Sequence, residues 1–151
     1  MGKLDWPSGS LDLLWSEGAA YNLTFAGALE KWRRLLAPQG LAVISELTWF
    51  GHQRPAAARE FWEAGYPTMA AEQENVVTAE VAGYEVLGIH RLPSQAWWDN
   101  YYGPLLQRMA TLRPDADGAL QSVLSATEAE IDLFRDCSDA YGYSFYLLQA
   151  R

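Results

Sequence analysis

A single cysteine, Cys137, stands in a chain of 151 residues. No internal disulfide can form, and no cysteine-based metal site is available. Histidine is almost as scarce, with His52 and His90 too far apart in sequence to suggest a metal pair, so no metal site is expected. Basic residues are few: 11 Lys and Arg against 19 Asp and Glu, a net charge of -8. A protein that binds nucleic acid through its phosphates needs the opposite balance. The one basic cluster, Lys31-Trp32-Arg33-Arg34, reads as the solvated face of a helix. There is no secretory signal and no apolar run long enough to span a bilayer. Nucleic acid and membrane are therefore excluded as partners, and a reduced, cytoplasmic protein is expected. Nowhere does a G-x-G-x-x-G occur, the pattern that lets backbone approach a dinucleotide.

What is plentiful is apolar and aromatic. Half the residues are hydrophobic, including 7 Trp, 8 Tyr and 5 Phe, enough for one bulky core with aromatics left over for a pocket. The organising stretch is Leu11-Asp12-Leu13-Leu14-Trp15, followed by Ser16-Glu17-Gly18. An apolar run bounded by turn residues reads as a buried strand of a parallel sheet. Ligands of such sheets bind beyond the carboxyl ends of the strands.

Residues 18–23 read as a loop. Thr24 is positioned to cap a helix over 25–36, with Phe25, Leu29, Trp32 and Leu36 as its buried stripe and Pro38 and Gly40 as its stop. A second strand is expected over 41–47, completing a right-handed βαβ unit. Helices are expected over 56–64 and 69–82, and a third strand over 84–92. A helix starting at Ser94 should be interrupted at Gly103-Pro104. Asp117 caps the longest helix, which carries Leu120, Leu124, Ile131 and Phe134. A last strand covers 143–150. The fold class is α/β in one domain, residues 1–151.

Two motifs then become recognisable together. Gly9-Ser10-Leu11-Asp12-Leu13-Leu14-Trp15 resembles the region at the fourth strand of S-adenosylmethionine-dependent methyltransferases of the Rossmann-like class I. Leu35-Leu36-Ala37-Pro38-Gln39-Gly40 resembles the turn into their fifth strand. The nearest likeness is to the ubiquinone/menaquinone-biosynthesis type. The resemblance covers nearly the whole chain and corresponds to the family's later half. The family's Gly-rich cofactor loop and its ribose-binding acidic residue have no counterpart, so the chain is expected to be the C-terminal portion of such a fold, a truncated domain. It implies a four-strand sheet in the family order 4-5-7-6, the seventh strand antiparallel. The first strand then becomes an exposed apolar edge, expected to support a homodimer through that edge or its adjoining face.

The parent activity implied is methyl transfer from S-adenosylmethionine to a small-molecule acceptor, with this chain alone inactive or weak. The alternative is a non-catalytic interaction domain, or half of a split methyltransferase. Trp15, Ser16, Glu17 and Gly18 are the candidate cofactor-binding residues, and Glu17 is also the candidate catalytic residue or a loop carboxylate. Tyr21, Asn22, Glu46, Thr48, Trp49 and His52 are candidate substrate-lining residues. Glu46 is read first as a salt-bridge partner, Asn22 equally as a turn residue, and His52 as a solvated loop histidine or a base. Tyr21, Trp49, Trp97, Trp98, Tyr101 and Tyr102 could form a wall for a cation, or simply core.

Overall fold

In the computed structural model, which describes residues 5–151, a four-strand sheet runs in the order β1-β2-β4-β3. The strands are β1 (Leu11–Ser16), β2 (Leu36–Trp49), β3 (Tyr84–Arg91) and β4 (Tyr141–Ala150). β1 lies parallel to β2, and β4 is antiparallel to both neighbours. This is the order and sense expected from 4-5-7-6.

Helix α1 (Phe25–Arg33) makes the crossover from β1 to β2, after a 3-10 turn at Ala20–Leu23. Thr24 caps it, its Oγ1 accepting from the Gly27 amide at 3.2 Å, and Phe25, Leu29 and Trp32 are buried. The helix ends three residues before its expected limit at Leu36. Leu35 and Leu36 are already committed to the sheet: the Leu11 amide donates to the Leu35 carbonyl at 3.0 Å, and Leu36 stands opposite Leu11. Pro38 and Gly40 therefore shape a bulge rather than a helix stop. While β1 advances from Leu11 to Leu13, β2 advances from Leu36 to Leu41. A Cβ at Gly40 would lie 2.9 Å from the carbonyl oxygens of both Ala37 and Leu11, so only glycine lets the bulge close against β1.

One sheet face carries Leu14, Ala42, Ile44, Tyr146 and Leu148 against α1 and α3 (Glu72–Val81). The other carries Leu47, Trp49 and Tyr141 against α2 (Ala56–Gly65), α5 (Gly103–Leu112) and α6 (Gly118–Cys137). α3 begins later than expected because residues 69–71 are tied to the end of β2: the Trp49 amide donates to the Ala70 carbonyl at 3.0 Å. The expected break at Gly103-Pro104 is present: a π turn, Trp98–Tyr102, follows α4 (Ser94–Trp97), and the α-helix restarts as α5 at Gly103 with the proline in its first turn. The chain is so tight there that a Cβ at Gly103 would meet the Trp98 carbonyl at 2.5 Å. Asp117 caps α6, accepting from the Leu120 amide at 2.8 Å.

The first strand is the exposed apolar edge that the resemblance implied, not the buried run that its apolar pattern alone suggested. β1 is the sheet edge, and only Leu14 on it is buried; Leu13 is 53% and Trp15 61% exposed, beside exposed Leu41 on β2. Leu13 stands opposite Leu41 in the β1–β2 pairing. No helix among the described residues is long and apolar enough to cross a membrane.

Candidate functional site

Beyond the carboxyl end of β1, against the C-terminal part of β2, lies a cavity of about 640 Å³. Its floor is Ser45, Glu46 and Leu47 of β2 with Tyr143 of β4. Glu17, Gly18 and Tyr21 form one side, Trp62 and Tyr66 a second, Trp97 and Tyr101 a third, and Glu130 closes it from α6. The loop after β1 is held to the floor by the Gly18 amide, which donates to Ser45 Oγ at 2.9 Å. Tyr66 sets its ring edge-on to Tyr21, 6.4 Å between centroids, and Trp97 stacks on Tyr143 at 4.9 Å.

Glu46 is the unusual group. It is 3% exposed and lines the cavity. Its Oε1 accepts from the Tyr66 hydroxyl at 2.5 Å, while Oε2 is buried with no partner. The salt bridge expected for it is absent among the described residues; a phenol takes the place of the cation. Burial penalises the charged form and pushes the carboxyl up to about 7, with the Tyr66 hydrogen bond pulling the other way. The Tyr66 hydroxyl is in turn held well above its ordinary value, first by burial and then by Glu46.

The structure divides the remaining sequence candidates. Glu17, Gly18, Tyr21 and Glu46 come together at the cavity. Asn22 does not line it; its Nδ2 donates to the Ala19 carbonyl at 3.1 Å, the turn role. Thr48 is buried behind the floor, bonded to the Glu46 carbonyl at 2.9 Å and to Tyr146 at 3.2 Å. Trp49 packs edge-on to Tyr141 in the core. His52 lies exposed beyond β2, away from the cavity. Of the aromatic wall, Tyr21, Trp97 and Tyr101 reach the cavity, while Tyr102 is buried and bonded to Glu130 at 2.9 Å.

Ten lining residues escaped the sequence reading, among them the polar and aromatic groups Ser45, Trp62, Tyr66, Asn100, Glu130 and Tyr143. Glu130 had a usable signal, being a carboxylate one residue before Ile131 and four before Phe134, at the edge of the apolar stripe. Tyr66 and Tyr143 had none, because they meet Glu46 only through the fold. No cluster of three or more metal-ligating side chains is found among the described residues.

This arrangement can be set against known structures. A methyltransferase from Geobacter sulfurreducens in complex with S-adenosyl-L-homocysteine matches with a TM-score of 0.73 at 20% identity, over 97% of this chain and 61% of that one. A phosphoethanolamine N-methyltransferase from Haemonchus contortus, in complex with S-adenosyl-L-methionine, matches with a TM-score of 0.71 at 11% identity, over 97% and 34%. The fold is the S-adenosylmethionine-dependent methyltransferase fold. A cyclase, SpnF, shares it equally, with a TM-score of 0.71 at 16% identity over 98% and 52% of the two chains. The methyltransferase fold therefore does not by itself fix the reaction, which has to be argued from the site. The chain spans about half the length of the cyclase. No family model matches the sequence, and no curated protein matches it.

S-adenosylmethionine does not fit the described residues as a complete site. Trp15 and Glu17 are both exposed at the sheet edge, where the indole N–H donates to the Glu17 carboxylate. Ser16 and Trp15 do not reach the cavity. Of the four residues expected to bind the cofactor, only Glu17 and Gly18 line the cavity.

Proposed function

We propose that this chain is the acceptor-binding part of a small-molecule methyltransferase of the ubiquinone/menaquinone-biosynthesis type, equivalent to the later half of that fold. The observation that carries this reading is the cavity beyond the carboxyl end of β1, against the C-terminal part of β2, floored by the buried carboxyl of Glu46. Its size suits one small molecule, and concave, mostly apolar clefts with few polar groups are the usual form of such sites. Glu17 and Tyr21 stand where the acceptor would meet the cofactor flank formed by Trp15, Ser16, Glu17 and Gly18. When bound, S-adenosylmethionine supplies an electrophilic methyl group; the residues of this chain position the acceptor and keep water from it. The setting is cytoplasmic, where Cys137 stays reduced.

Alone, the chain binds S-adenosylmethionine weakly or not at all, because one flank gives few contacts. Titration calorimetry with S-adenosylmethionine and S-adenosylhomocysteine tests this. The expected result is no micromolar binding by the isolated chain; micromolar binding overturns the incomplete-site argument and makes the chain a cofactor-binding enzyme by itself.

A second reading is favoured by one specific observation: the exposed row Leu13, Trp15 and Leu41 beside an unpaired strand edge. Such an edge templates pairing with another chain. On this reading the chain is a non-catalytic dimerising domain, or one half of a split enzyme. Sedimentation velocity at micromolar concentration decides it, since a strictly monomeric chain removes the homodimer.

A further inference from the structure

We propose that the cavity selects a small organic cation, a protonated amine or a quaternary ammonium, an inference that rests on its assignment above as a small-molecule site. Three carboxylates line it, Glu17, Glu46 and Glu130, and no Lys, Arg or His does. None of the three is ion-paired among the described residues. An acidic cluster alone would say little, but Glu46 adds a second fact. It is buried, it lines the cavity, and its Oε2 has no hydrogen-bond partner. A buried acceptor left unpaired is costly, and a donor or a positive charge delivered by a ligand relieves that cost.

The walls suit the same ligand. Tyr21, Trp62, Tyr66, Trp97, Tyr101 and Tyr143 surround the space. The chain's own cation–π contacts fall on Trp49, Phe50, Tyr84 and Trp98 instead, none of them lining residues, so no side-chain cation of the described residues serves this cavity. Aromatic faces attract an alkylammonium, most strongly where water is excluded. The other ligand classes fare worse. An anion would face three carboxylates with no basic residue to receive it. A neutral apolar molecule would leave Glu46 Oε2 unsatisfied. A metal ion would need a ligand cluster that the described residues do not form. The overall charge of -8 adds a long-range field of the same sense.

The test is calorimetry and tryptophan fluorescence on the 151-residue chain with choline, and with 3,3-dimethylbutan-1-ol as its neutral isostere. Choline should bind, and the neutral alcohol at least about tenfold more weakly. Choline keeps its charge at every pH, so any pH dependence belongs to the protein. Around Glu46 the ionisable groups are the phenols of Tyr66, Tyr143 and Tyr146, with the carboxylates Glu17 and Glu130 across the cavity. Choline affinity should rise between pH 6 and 8, and that rise should vanish in Glu46→Gln. Glu130→Gln, which keeps the Tyr102 hydrogen bond, should weaken choline several-fold without abolishing the rise. Equal binding of choline and the alcohol, or no choline binding by a folded chain, overturns the proposal. Choline discrimination leaves the cation site standing whether or not the chain binds S-adenosylmethionine; cofactor binding without choline discrimination removes the cation site and leaves methyl transfer.

Discussion

Replacing Glu46 by glutamine should change how the stability of this fold depends on pH. In the unfolded chain a glutamate loses its proton near its ordinary value of 4.5, whereas burial holds Glu46 in the folded chain up to about 7. Between these values the folded state binds more protons than the unfolded state, so raising the pH weakens the fold. The stabilisation from this group is complete below pH 4.5 and is gone above about pH 7. The interval corresponds to about 3 kcal/mol. Glutamine does not titrate, and its carbonyl can still accept from Tyr66. Urea unfolding followed by tryptophan fluorescence, in steps from pH 4.5 to 8, gives both profiles. The stability of Glu46→Gln minus that of the parent should climb by about 3 kcal/mol over this range. Groups titrating elsewhere cancel in the difference. Among them is Glu72, which Arg91 holds below its ordinary value and which therefore acts in the opposite sense as the pH falls. A difference that stays flat to within about 0.5 kcal/mol would refute the claim that burial raises the Glu46 carboxyl to about 7.

Tyr66→Phe removes the hydrogen bond that favours the ionised carboxyl, so the Glu46 transition in the same experiment should move to higher pH. Gly40→Ala should destabilise by about 2 kcal/mol in urea, because the new Cβ meets two backbone carbonyls that cannot move independently. Tyr146→Phe should lower the urea midpoint by the equivalent of about 1–2 kcal/mol, since Asn75 Nδ2 then loses its 3.0 Å acceptor inside the core. Trp15→Lys should leave stability nearly unchanged while shifting sedimentation toward monomer; an unchanged boundary would show that the β1 edge does not mediate association.

The local devices of this fold can be read directly from residues. Thr24 and Asp117 cap the helices they were expected to cap, and Phe25, Leu29, Trp32, Leu124, Ile131 and Phe134 are buried as their helical spacing implies. Where the reading failed, a non-local contact overrode a local preference. Leu36 left the helix because Leu11 offered it a strand partner. Thr48 and Trp49 were placed near a cleft by their position at a strand end; pleating turned one toward Tyr146 and the other toward Tyr141.

Composition, periodicity and punctuation were sufficient for the α/β class and the βαβ start, since these depend on residues within a few turns of one another. The environment of Glu46 was decided only in three dimensions. Its phenol partner arrives from residue 66, a second phenol from residue 143 and a further carboxylate from residue 130, and none of them is near it in sequence. Burial then converts an ordinary glutamate into one that titrates at about 7, because desolvation acts on the assembled cavity and not on the residue type.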